Sequence, residues 1–180
     1  MIKASIVFIS ITVLAVVIAC SGDNLDKQTT EYEGPILEQN NIESLYSDSS
    51  VVRLKLMAPK QLIFLNKDRE FPNGLYLEFY EPDGSKSATL ESNYCYYYND
   101  EDRWRALGNV ILRGLQNDEQ LNTEELYWDP VKEIVYTDKF VRVETEGRIL
   151  MGEGLEARQD FTWWKIDKGK GDIYLDEENP

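Results

Sequence analysis

From Val51 onward apolar and polar residues alternate with a period of two, and helical periodicity is hard to find. Such a chain is confined to strands with one buried face, because successive side chains of a strand point to opposite sides. Leu54 and Leu56 alternate with Arg53 and Lys55, and Leu75, Leu77 and Phe79 with Tyr76, Glu78 and Tyr80. Val110 and Leu112 follow Trp104 and Ala106, and Val141, Val143, Ile149 and Met151 carry the pattern toward the C-terminus. Asn122 to Leu126 resembles a short helix, but Tyr127-Trp128 and the flanking turns assign it to a strand.

Turn signals punctuate these runs: Glu81-Pro82-Asp83-Gly84, Asn99-Asp100-Glu101-Asp102, Gln116-Asn117-Asp118-Glu119, Asp129-Pro130 and Glu146-Gly147. Their centres are 17, 17, 13 and 16 residues apart. That spacing predicts strands of about eight to twelve residues joined by tight turns, hence a sequential antiparallel meander. A rolled sheet or sandwich with a filled interior and a barrel with a cavity both satisfy it. Gly108, Gly152 and Gly154 fall inside strand patterns, where glycine marks a bulge, a bend or a close approach.

The 180 residues suffice for one domain, and 42% hydrophobic residues are too many for a disordered acidic polymer. With 33 Asp and Glu against 19 Lys and Arg the net charge is -14, the wrong sign for a general nucleic-acid binder. The chain has no histidine, which removes the commonest general base and zinc ligand. Glu124-Glu125, Asp100 with Asp102, and Glu153 with Glu156 are the carboxylate pairs a glycosidase would need. Each lies in or beside a turn or on a polar strand face, so they read as solvated surface and no enzyme is expected. Asn99 to Asp102 lacks the glycine and distal Glu of a calcium loop; no metal or cofactor is expected.

Lys3 precedes an uncharged apolar run of sixteen residues, Ala4 to Ala19, which ends at Cys20. The run is short for a membrane-spanning helix, which needs about 20 residues, and reads as an export signal. Val17-Ile18-Ala19-Cys20-Ser21 resembles a bacterial lipobox, although Ile18 is larger than the residue usual there. Cys20 is therefore the expected lipid acceptor, in preference to an uncleaved anchor or a plain secreted form. Only Cys95 then remains, so no internal disulfide can form. Within Tyr94-Cys95-Tyr96-Tyr97-Tyr98 it reads as a buried or edge-strand thiol.

The alternation assigns Leu77, Phe79, Leu90, Val110, Leu112, Val143 and Leu155 to the inner face. Ile149 to Ile166 is sparsely charged and carries Ile149, Met151, Phe161 and Trp163, so as a terminal strand region it is an expected docking edge. Trp163-Trp164 and the tyrosines of 94–98 suggest a second function, stacking on sugar rings, as in a polysaccharide-binding β-sandwich lipoprotein. Adjacent Trp163 and Trp164, however, cannot line one platform from a single strand.

The order Leu107-Gly108-Asn109-Val110, then Leu121-Asn122-Thr123-Glu124-Glu125-Leu126-Tyr127-Trp128-Asp129, then Thr137-Asp138-Lys139-Phe140-Val141, then Gly152-Glu153-Gly154-Leu155-Glu156 resembles the LptC family. These are periplasmic components of the lipopolysaccharide-export machine, related to the LptA/OstA-type bridge proteins. The motifs span about Arg103 to Ala157, and a weaker likeness reaches from Val51 to Ile166. The resemblance implies a rolled, V-shaped antiparallel β-jellyroll whose apolar interior groove shields the acyl chains of lipopolysaccharide, with the inner-face residues Leu77, Phe79, Leu90, Val110, Leu112, Val143 and Leu155 as its expected lipid-groove residues. It also implies partners: an inner-membrane ABC transporter that supplies the lipid and a periplasmic bridge jellyroll that receives it. The family commonly keeps a membrane-spanning N-terminal helix, whereas this chain offers a lipidated cysteine. The expected location is periplasmic and membrane-tethered, with the inner membrane favoured and Ser21 leaving the outer membrane open. The expected organisation is a signal peptide over 1–19, a polar tether over 20–45, the jellyroll over 46–166 and an acidic, disordered tail over 167–180.

Overall fold

The computed structural model describes residues 32–174, and its regular structure is entirely β-strand. Eleven segments form one antiparallel sheet: β1 (Leu37–Asp48), β2 (Val51–Ile63), β3 (Arg69–Phe71), β4 (Leu75–Tyr80), β5 (Lys86–Ser92), β6 (Tyr94–Tyr98), β7 (Arg103–Gly114), β8 (Glu119–Asp129), β9 (Ile134–Thr145), β10 (Arg148–Arg158) and β11 (Trp164–Tyr174). This is the all-β architecture that the alternation requires, and it is compatible with a β-jellyroll.

The register reduces the eleven segments to nine passes. β3 and β4 lie end to end along β2, through Ile63↔Arg69 and Leu54↔Phe79. β5 and β6 lie end to end along those two, through Leu77↔Leu90 and Phe71↔Cys95, and both then pair with β7. Each pass pairs with the next in sequence, so the sheet is the predicted meander. All five predicted turn clusters fall at strand ends. At the first, Asp83 Oδ1 accepts from the Ser85 backbone N–H at 2.8 Å, the local bond that suits Asp to turns.

A seam of irregularities crosses the meander. Pro59, which has no N–H to donate, interrupts the β1–β2 pairing opposite Asn41. Pro72-Asn73-Gly74 separates β3 from β4, and Asn93 separates β5 from β6. The register then shifts between Leu107 and Val110, between Thr123 and Tyr127, and between Glu153 and Leu155. Gly74 (φ 81°), Gly108 (φ 70°) and Gly154 (φ 78°) supply left-handed backbone along this line. Gly108 and Gly154 are thus bend residues, as their strand context predicts. Gly152 is different: a Cβ there would lie 2.4 Å from Ile166 Cγ2, so it marks a close approach of β11.

Bulges bend strands and increase their twist, and here the sheet rolls until distant passes meet. Phe79 of β4 and Trp128 of β8, with β5 and β7 intervening in the sheet, touch edge to face at 5.3 Å between ring centroids. The inner face forms one connected core in which Leu112, Leu121, Val135, Val141 and Val143 are fully buried. Each such side chain contributes roughly 1.5–3 kcal/mol of transfer free energy.

Both predicted domain limits move outward. Residues 37–45, expected within a tether, belong to β1, and residues 167–174, expected to be disordered, belong to β11. β1 is exposed along nearly its whole length, so no face is buried to print an alternation on its sequence. Its backbone ladder to β2 holds it, with the ion pairs Glu38–Lys60 at 2.8 Å and Glu43–Lys55 at 3.0 Å adding little at such exposure. β11 pairs from Tyr174↔Arg148 to Trp164↔Ala157, through a segment whose glycines and lysines hide its strand character.

Candidate functional site

The rolled interior opens at one end into a cavity of about 440 Å³. β2 contributes Leu54, β4 Phe79, β7 Trp104 and β8 Trp128 to its wall. The rings are in contact: Trp104 and Trp128 are 5.7 Å apart, Tyr97 and Trp104 4.8 Å, and Phe71 stacks behind Trp104 at 5.7 Å. All these positions lie on the inward side of their strands, and the cavity is continuous with the buried core. Buried tryptophan needs a partner for its N–H; Trp128 Nε1 donates to Gln159 Oε1 at 2.9 Å.

The rim is polar and of mixed charge. Arg69 Nη1 donates to the Tyr46 hydroxyl at 2.9 Å, and its guanidinium lies over the Tyr97 ring at 5.4 Å. Tyr97 donates its hydroxyl to Asp102 Oδ1 at 2.9 Å. Burial, and then that bond to a carboxylate, push the Tyr97 phenol above its ordinary range. Arg53, Asp48 and Glu133 complete the charged rim. The arrangement suits a molecule with an apolar body and a polar end.

The seven residues assigned to the inner face are all inward and none is more than 3% exposed. Phe79 lines the end cavity, and the other six are packed core. The cavity residues that sequence reasoning did not single out, Trp104 and Trp128, carry the same period-two signal. What the sequence lacks is any sign that they meet across the roll.

The expected docking edge is displaced. β10, which holds Ile149 and Met151, is covered by β11 and is not an edge. Phe161 is 1% exposed and packs near Gly114 of β7, so it belongs to the core. Trp163 is 48% exposed. The edges of the described sheet are β1 and β11. Cys20 lies outside the described residues.

No family model matches the sequence, and no curated protein is significantly similar to it.

The outer face carries a second ordered set of side chains. Tyr96, Arg105, Tyr127 and Tyr136 occupy one cross-strand row from β6 to β9. Arg105 Nε donates to Glu125 Oε1 at 2.6 Å, and Lys139 stands 3.4 Å from the other carboxylate oxygen. Burial would raise the Glu125 carboxyl, but the bonds from Arg105 and Tyr127 prevail and hold it below the usual range. Glu124 is exposed while Glu125 is buried, so these two carboxylates do not form a pair across one substrate. Burial pushes the Tyr94 phenol up to about 12 and drives the Cys95 thiol well above its ordinary value, leaving that thiol un-ionised at neutral pH. Among the described residues no group of three or more acidic or cysteine side chains is placed to hold a metal ion.

Proposed function

We propose that the protein carries the acyl chains of lipopolysaccharide as an LptC-like component of an export machine. The observation that carries this reading is the end cavity, whose Phe79, Trp104 and Trp128 wall is continuous with an apolar interior and whose rim is charged. Tails held inside and a head group left in water fit an acidic protein, because gripping lipid phosphates directly would meet a net charge of -14. The motif order from Leu107 to Glu156 supports the same reading. The protein stands in the periplasm, tethered to a membrane through a lipid on Cys20. It takes lipid from an inner-membrane ABC transporter, and the free edges β1 and β11 pair with neighbouring components by strand addition. No catalytic step is part of this role.

A photocrosslinking residue in place of Trp128 or Phe79 is expected to capture lipopolysaccharide in cells, whereas one at Glu78, on the outer face of β4, is not. Equal capture from both faces, or none from the cavity, would refute the reading. Fatty-acid labelling tests the anchor separately: label must appear on the parent protein and vanish in Cys20→Ala.

A further inference from the structure

The seam forms a groove on the outside of the sheet. One concavity of about 530 Å³ is lined by Asn41, Asn73, Asn93 and Asn109, together with Tyr76. A second, of about 390 Å³, begins at the same Asn109 and continues past Asn122 to the half-exposed ring of Phe140. A third shares Asn93 and leads onto Tyr94, Tyr96 and Tyr98. Beneath the first two runs an unbroken cross-strand row on the outer face, Glu43–Met57–Tyr76–Glu91–Ile111–Asn122–Arg142. Seven passes at about 4.8 Å give that row a length of roughly 29 Å.

Five asparagines converge on this line in a chain that otherwise uses 33 carboxylates. Local backbone explains part of the choice. Asn41 (φ 51°) and Asn109 (φ 47°) are left-handed, and Asn73 sits in a turn closed by the Gly74 N–H to the Phe71 carbonyl at 3.3 Å. Aspartate or glycine would serve those conformations as well, and Asn93 has no positive φ. The side chains of Asn41, Asn73, Asn93 and Asn109 are exposed and make no hydrogen bond to other described side chains. The charged members of the row are neutralised in place: Glu43 by Lys55 at 3.0 Å, Glu91 by Arg113 at 3.0 Å and Arg142 by Glu144 at 2.7 Å. Glu124, exposed on the second concavity's wall, is not in such a pair.

A groove of free amides beside aromatic rings, whose charged side chains other than Glu124 are held in ion pairs, has a definite chemical complement. Each amide offers two donors and one acceptor, the match for a vicinal pair of hydroxyls, and the tyrosine rings offer flat apolar faces to the C–H side of a sugar. The groove is long and open, and its unpaired charge, the Glu124 carboxylate, is negative, which favours a chain over a single sugar and an uncharged chain over an acidic one. We propose that the outer seam groove binds a neutral, extended saccharide. This site lies on the opposite face from the acyl-chain cavity and stands or falls independently of it.

The test uses the full chain, labelled with nitrogen-15 and solubilised in a detergent without a sugar head group. It is titrated with hexasaccharides of α-1,4-linked glucose, β-1,4-linked glucose and β-1,4-linked N-acetylglucosamine, and with hexagalacturonate as an acidic counterpart. At least one neutral hexasaccharide is expected to shift the side-chain amide signals of Asn73, Asn93 and Asn109, with hexagalacturonate weaker. The variant Asn73→Ala/Asn93→Ala, which keeps the Asn93 Cβ that packs 3.4 Å from the position a Gly108 Cβ would take, should bind about tenfold more weakly. Should that variant misfold, Asn109→Gly retains the left-handed backbone and removes one amide. Leu65→Ala, at an exposed position outside both sites, should leave saccharide binding unchanged. The proposal is overturned if no neutral hexasaccharide shifts these amides, if hexagalacturonate binds more tightly, or if the amide variants bind as well as the parent.

Discussion

Gly74 and Gly84 have nearly the same left-handed backbone, φ 81° and 85°, but opposite surroundings, so a matched pair of alanine substitutions separates backbone strain from steric conflict. At Gly84 a Cβ meets nothing within 4 Å, and Gly84→Ala should cost only the left-handed penalty, about 1–2 kcal/mol. At Gly74 the same atom would lie 2.4 Å from the Ser92 carbonyl oxygen, where ordinary contact begins at 3.4 Å. That oxygen cannot swing aside as a side chain would, because Ser92 is paired with Leu75 and its hydroxyl donates to the Tyr94 carbonyl at 3.0 Å. The two passes that meet at the seam must separate by about 1 Å, an overpacking cost of roughly 1–3 kcal/mol. Gly74→Ala is therefore expected to destabilise by a total of about 2–5 kcal/mol. Urea unfolding followed by tryptophan fluorescence reads this directly, since Trp104 and Trp128 are buried, 6% and 7% exposed, and the midpoint shift converts to free energy where the slope is unchanged. Equal losses for the two variants would refute the claim that the seam is a tightly packed bend and reduce Gly74 to an ordinary turn glycine.

Glu125→Gln should lose about 1–2 kcal/mol at neutral pH, the lower part of the range for a charge-assisted bond because Arg105 is 35% exposed. The Glu125 carboxyl is held below its unfolded value, so its contribution is present above the ordinary carboxylate range and disappears as pH falls through the folded value. Parent and variant should thus converge in stability on acidification, measured by urea midpoints at several pH values. Leu112→Ala, at a position with 0% exposure, should cost about 2–5 kcal/mol in the same assay, against a few tenths for an exposed residue such as Leu65. Cys95 should resist alkylation at pH 8 until the protein unfolds, because its thiol is both buried and kept protonated; rapid labelling of the folded protein would contradict its placement in the core.

The legible part of this structure is the part where one face of a strand is buried. β4 reads Leu75, Leu77, Phe79 inward in the sequence and does so in the structure. β1 was hidden because an edge strand exposed on both faces is specified by its neighbour's backbone and leaves no apolar rhythm, and β11 because the glycines and lysines of 168–171 carry none. The inversion at Ile149 to Trp163 follows from that. With β11 unseen, β10 reads as the last strand, and Phe161 reads as exposed when the turn after Arg158 folds it under Gly114. The end cavity was legible residue by residue but not as a site, because Phe79 and Trp128 are 49 positions apart and meet only through the roll. Gly108 and Gly154 announced bends. That the bends align across the sheet depends on register, which no single strand encodes.

On the acyl-chain reading, the packing itself dictates where a lipid enters. Leu77, Leu112 and Val143 are at most 1% exposed, so a chain cannot lie among them unless the two sides of the roll move apart. The end cavity is where that separation costs least. A chain sliding between Phe79 and Trp128 gives up their edge-to-face contact, worth about 0.5–1.5 kcal/mol, while each 100 Å² of tail surface removed from water returns roughly 2.5 kcal/mol. Loading should therefore proceed from the tryptophan end, and a thiol-to-thiol crosslinker with a reducible spacer, bridging β4 to β8 across the cavity in Phe79→Cys/Trp128→Cys, should block lipid capture, which returns when the spacer is reduced. Capture that is indifferent to reduction, in a protein shown to be crosslinked, would place the entry elsewhere along the roll.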